Sequence, residues 1–145
     1  MSARLEFLSV FGVIGSFITG LFGGWSTAMN TLLIFMAIDF LTGLTVAGVF
    51  HKSKKTNQGG LESRAGFKGL VRKGMILLIV LIGSQLDLVM GTNHIRDAVV
   101  IAFIVNETIS ILENAGLMGI PMPEILVKSV EVLKAKGDKK DESMY

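Results

Sequence analysis

A run of twenty residues, TLLIFMAIDFLTGLTVAGVF from Thr31 to Phe50, holds one ionisable side chain, Asp39, near its middle. At ~1.5 Å of rise per residue, such a run is long enough to cross the hydrocarbon of a bilayer as a helix. A carboxylate at that depth costs on the order of 3 kcal/mol. It must be neutralised, paired, or turned toward water. Asp39, Gly43 and Ala47 recur every fourth residue and share a helical face. A face of that kind lets a second helix approach closely.

The rest of the chain agrees with a membrane protein. Half of its 145 residues are hydrophobic, the mean hydropathy is +0.60, and the apolar residues fall in long runs. That is too apolar for an ordinary water-soluble domain of this size. Cysteine is absent, so a disulfide frame, a thiol nucleophile and a thiolate metal site are all excluded. The first apolar run, residues 5–24, lacks a clear small-x-small cleavage site and reads as a retained segment. Gly12, Ser16, Gly20 and Gly24 form a small-residue ridge along it, either an internal seam or a self-association face. Trp25 follows as a headgroup anchor.

The stretch from His51 to Lys73 carries Lys52, Lys54, Lys55, Arg64, Lys68, Arg72 and Lys73 against a single Glu62. By the positive-inside rule this is a cytoplasmic loop that holds topology and meets anionic headgroups. Its second half reads as a short amphipathic helix with Leu61, Phe67 and Leu70 toward lipid. Wedged between two membrane runs, it is not read as a nucleic-acid site. Residues 73–90 form the next span, with Gln85 and Asp87 near its outer end. Asn93 is placed to cap the following helix, and Asp97 suits its first turn. Residues 96–115 form the last span, with Asn106, Ser110, Glu113 and Asn114 lining one side of the helix and Glu107 beside them. Glu113 and Asn114 are expected simply to end that helix at the inner surface, whereas Asn106 and Glu107 lie near mid-span.

The expected fold is therefore all-α: a small helical integral membrane protein with four (or three) transmembrane helices and a short C-terminal amphipathic helix. The membrane domain covers 1–120, with spans at about 5–24, 30–50, 73–90 and 96–115; the amphipathic helix covers 121–136, and 137–145 is a disordered charged tail. In the amphipathic helix Ile125, Leu126, Val130 and Leu133 face the membrane or a partner. If residues 5–24 only lie on the surface, three spans remain.

Nothing in the chain supports an enzyme or a cofactor. It has no phosphate-binding loop and no dinucleotide fingerprint, and His51 and His94 fall on opposite sides of the membrane, unable to share a metal. What remains is a set of polar groups at membrane depth, Asp39, Asn106, Glu107 and Ser110, with no basic residue at the same depth. Such carboxylates are either kept protonated in a packed monomer or wetted in the lumen of an oligomer.

Three motifs resemble a known family. DFLTGLTVA (Asp39–Ala47), ESRAGFKGLVRK (Glu62–Lys73) and NETISILENAGLMGIPMP (Asn106–Pro123) are similar to segments of the phage holins related to the clostridial toxin-secretion holins. The resemblance implies a homo-oligomer in the bacterial cytoplasmic membrane. It would form lesions, collapse the membrane potential and let a cytoplasmic endolysin, or a large toxin, reach the cell wall without contacting it directly. The alternative from the residues alone is a small ion- or proton-coupled transporter that uses Asp39 and Glu107.

Overall fold

The computed structural model describes residues 2–142, with the side chains at 137, 138 and 140–142 set aside. It contains five helices: α1 (Ser2–Leu21), α2 (Thr27–Gly48), α3 (Ser63–Met90), α4 (Ile95–Leu117) and α5 (Glu124–Glu142). Among the described residues there is no strand. α1, α2 and α3 are long and apolar enough to cross a membrane. α4, with Arg96, Asp97, Glu107 and Glu113, is not among them. The three helices that qualify therefore include the first segment, and the span expected at 96–115 is the one that does not.

Local chemistry explains the boundaries. α1 stops three residues short of the expected end, because Gly23 (φ 73°) and Gly24 (φ 93°) turn the chain into the left-handed region. Gly24 thus lies outside the helix and does not extend the ridge of Gly12, Ser16 and Gly20. Ser26 caps α2 by accepting the Met29 N–H at 3.2 Å. At the end of α3, Gly91 (φ 67°) and Thr92 return their N–H groups to the Asp87 carbonyl. Gly119 (φ 80°) ends the turn after α4, and Pro121 and Pro123 follow it.

Two boundaries differ from the sequence expectation. α3 begins at Ser63, so the basic stretch is half loop and half helix, continuous with the span. No residue from 63 to 90 is proline, and each motif glycine costs only ~1 kcal/mol in a helix, which the long propagation outweighs. α5 continues to Glu142 where a disordered tail was expected from 137; residues 143–145 lie outside the described residues.

The core is a three-helix packing of α2, α3 and α4, with α5 against α4, and, among the described residues, α1 touching only α3. Each central helix presents residues seven apart to the inside: Leu32, Asp39 and Val46 on α2; Lys73, Val80 and Asp87 on α3; Val100, Glu107 and Asn114 on α4. All are buried except Lys73, which is half-buried. A seven-residue repeat keeps one seam facing its partners. Met29, Leu32, Met36, Val80, Val100 and Ile104 form the apolar cluster, and Leu133 of α5 packs against it. Of the residues expected to face membrane or partner on α5, Leu133 and Val130 are thus half-buried, while Ile125 and Leu126 are exposed. α1 buries no residue at all, and its apolar side chains are exposed along its length.

Candidate functional site: a charged cluster between three helices

The loop 49–62 closes one end of the bundle, where α2 ends, α3 begins and α4 ends. Asp39 lies nine residues from Gly48, Lys73 ten from Ser63 and Glu107 ten from Leu117. At ~1.5 Å per residue the three side chains share one depth, roughly 14 Å from that end. The Lys73 Nζ donates to Asp39 Oδ2 at 2.8 Å and to Glu107 Oε2 at 2.5 Å. The side chains are only 14%, 8% and 7% exposed. Lys73 is therefore not a headgroup residue. The mid-depth acids do have a basic partner, because α3 is already helical ten residues earlier and carries Lys73 into the bundle. Its aliphatic stem packs while the ammonium reaches the carboxylates.

Asn114 completes the cluster. Its side-chain amide donates to the Asp39 carbonyl (3.3 Å), to Asp39 Oδ1 (3.2 Å) and to Thr42 Oγ1 (2.9 Å). The Thr42 hydroxyl in turn donates to the Asp39 carbonyl at 3.0 Å. Asn114 does not merely end its helix. It is buried, and a Cβ added at Gly43 would stand 3.8 Å from its Nδ2. Gly43 and the buried Ala47 thus belong to the face of α2 that meets α4. Two carboxylates share one ammonium, which leaves one net negative charge in a confined site. Removing Lys73 leaves both carboxylates buried without their cation, whereas removing either acid leaves Lys73 paired with the other.

Ser110 stands beside the Asp39 carboxylate at the edge of this network, whereas Asn106 makes no hydrogen bond to it among the described residues. Asn106 is exposed and Ser110 half-buried, and both line a cleft of about 600 Å³ that also reaches Asp39, Lys73 and Glu107. Lys54 and Lys55, in the loop, and Lys68 and Arg72, on the first turns of α3, border the same cleft, whereas Lys52 and Arg64 do not. Gly12 and Gly20 have nothing within 4 Å of an added Cβ, and Ser16 is exposed.

The opposite end of the bundle is tied by polar bonds. Asp87 accepts from the Ile95 N–H (3.0 Å), the Arg96 N–H (2.9 Å) and the Thr92 hydroxyl (2.6 Å). It caps α4 from the preceding helix, so the cap is neither Asn93 nor the adjacent His94, and Asp87 is buried at this end of α3. Arg96 Nη1 donates to the carbonyls of Phe22, Gly23 and Gly24, and Gln85 Nε2 donates to Leu21 O at 2.8 Å. These bonds satisfy carbonyls left open at the end of α1. Trp25 donates its indole N–H to Asn30.

The cluster unites residues from all three holin-like motifs, and comparison with known proteins follows the same segments. Residues 16–135 match the bacteriophage holin family. The chain belongs to the bacteriophage holin family. A probable holin of Bacillus phage phi105 is 30% identical over 115 residues, covering 79% of each chain. An uncharacterised protein of Listeria monocytogenes is 36% identical over 141 residues, covering 95% of each. An uncharacterised 14.9 kDa protein of Clostridium perfringens is 38% identical over 125 residues, covering 85% of this chain and 89% of the relative. No solved structure matches. As a holin-family chain this is a membrane protein of a class that is in general not enzymatic, and among the described residues no group of three or more His, Asp or Glu is placed to hold a metal.

Sequence reasoning found Asp39 and Glu107 but missed their partners, Lys73, Asn114 and Thr42. The missing signal was the seven-residue step from Asp87 back through Val80 to Lys73, and from Val100 through Glu107 to Asn114.

Proposed function

We propose that this holin-family chain oligomerises in the bacterial cytoplasmic membrane and forms lesions. The lesions collapse the membrane potential and release a cytoplasmic endolysin, or a large toxin, to the cell wall. The chain crosses the membrane several times, with the basic 51–73 segment and the C-terminus on the cytoplasmic side; this places α4 across the membrane as well, its Glu107 paired with Lys73. Its partners are lipid and further copies of itself; endolysin follows through the lesion without being bound.

The observation that carries this reading is the family match over residues 16–135. The charged cluster supplies a physical route. In the closed bundle Lys73 pairs with both Asp39 and Glu107 and offsets one of their two charges. Separating the helices in lipid would strand all three charges, at several kcal/mol for each. Separating them around water would hydrate them. An assembly with an aqueous lumen is thus the one opened state in which these side chains are tolerated. α1, apolar and unburied, is free to meet lipid or a second copy. The potential acts at about 2.3 kcal/mol per charge per 100 mV, enough to bias so marginal an equilibrium.

The test is induced expression in a bacterial host with and without a cytoplasmic endolysin, following optical density and membrane potential together. A delayed, abrupt loss of potential, with lysis only when endolysin is present, is the expected result. Steady potential with normal growth would sink the reading. A second reading, a small ion- or proton-coupled transporter using Asp39 and Glu107, is favoured by the cleft that reaches them. It calls for saturable solute flux with the potential held.

A further inference from the structure

The cleft beside the charged cluster is bordered by four cations besides Lys73. Lys54, Lys55, Lys68 and Arg72 are all exposed, and none makes an ion pair among the described residues. Thr56 lines the same cleft, and its hydroxyl oxygen is buried without a hydrogen-bond partner. Buried hydroxyls are normally satisfied, so this one calls for a partner. Glu62, where α3 begins, offers its first turn no side-chain cap, because its Oε1 instead accepts the Asn57 N–H at 3.1 Å. The first turn of α3 also carries no acidic residue. Against these stand the acids of the cleft. Lys73 offsets one of the two charges of Asp39 and Glu107, so the remaining one, together with Glu62 and Glu113, faces four further cations and the lining keeps a single formal positive charge.

We propose that this cleft is a phosphate-binding site, and that its ligand is the phosphate of an anionic phospholipid headgroup at the surface where α3 begins. Lysine and arginine side chains around one recess, with an unpaired hydroxyl in its wall, match the charge and the acceptor oxygens of a phosphate group. The site differs from diffuse attraction between a basic loop and a membrane. It uses Lys54, Lys55, Lys68 and Arg72 and leaves out Lys52 and Arg64, which carry the same charge in the same segment but lie outside the cleft. It goes beyond the lytic reading and does not depend on it, since binding is measured on protein that forms no lesion.

The chain has no cysteine, so Gln58→Cys in the exposed loop provides a single attachment point for a fluorophore. Full-length labelled protein in a neutral detergent is titrated with short-chain phosphatidylglycerol, short-chain phosphatidylcholine and inorganic phosphate. Phosphatidylglycerol should bind saturably. The double variant Lys68→Gln/Arg72→Gln should weaken that binding at least about tenfold. The double variant Lys52→Gln/Arg64→Gln removes the same charge outside the cleft and should change it by no more than about twofold. Displacement of the lipid by millimolar inorganic phosphate would support the phosphate chemistry and show that a free phosphate also enters. Equal weakening by both double variants, or binding that never saturates, would overturn the site in favour of diffuse attraction. Helical content measured by circular dichroism confirms that each variant is folded.

Discussion

The Lys73 ammonium lies 2.8 Å from the Asp39 carboxylate although 34 positions separate them in the chain. The pair joins the basic edge of the chain to its most apolar helix, and Glu107 shares the same ammonium from α4. Three helices are thus cross-linked by one cation at one depth. The cluster is the costliest part of the bundle to separate in lipid and the easiest to separate in water. Its behaviour on substitution is accordingly unequal.

Lys73→Met leaves two buried carboxylates without their cation. It should lower stability by about 3–5 kcal/mol. The triple variant Lys73→Met/Asp39→Asn/Glu107→Gln removes the charges together and should recover most of that loss. Thermal unfolding in detergent, followed by circular dichroism, measures both. A triple variant no more stable than Lys73→Met would show that packing of the lysine stem, and not charge, dominates.

Asp39→Asn keeps the shape of the side chain and its contact with Asn114 but weakens the tie to Lys73. Membrane insertion should be unchanged while the time of lysis shifts. Immunoblotting of the membrane fraction beside optical density checks both, and unchanged timing at equal protein level counts against a role for the cluster in opening.

Asp87→Ala removes an acceptor for two backbone N–H groups at the start of α4 and for the Thr92 hydroxyl. The expected loss is about 1–2 kcal/mol, the range for a helix cap. Asp97→Ala, whose carboxylate pairs among the described residues only with the neighbouring Arg96, should cost less than about 1 kcal/mol. Chemical denaturation of the two variants side by side gives the difference directly.

The glycines of α1 and α3 should separate folding from assembly. A Cβ at Gly83 would stand 3.3 Å from the Arg96 Cα, so Gly83→Val should destabilise the bundle by about 1–3 kcal/mol. Gly12 and Gly20 face open space. Gly12→Leu/Gly20→Leu should leave the bundle intact to within about 0.5 kcal/mol. If α1 is a contact between copies, the same variant should reduce cross-linked multimers. Multimers that persist at equal expression would locate the contact elsewhere.

Sequence alone determined what depends on local pattern and composition. Long apolar runs required helices and a membrane. The lack of cysteine and of nucleotide-binding motifs removed whole classes of chemistry. Asp39 and Glu107 stood out because an acid among apolar residues is expensive wherever its helix packs. The tertiary structure alone decided who answers them. Lys73 read as one more cation of a basic loop, since counting charges cannot tell a loop lysine from one ten residues inside a helix. Asn114 read as a helix end for the same reason. Their meeting with Asp39 depends on three helices placing them at equal distances from one end of the bundle. That equality is a property of the lengths and packing of α2, α3 and α4 together, and no single segment carries it.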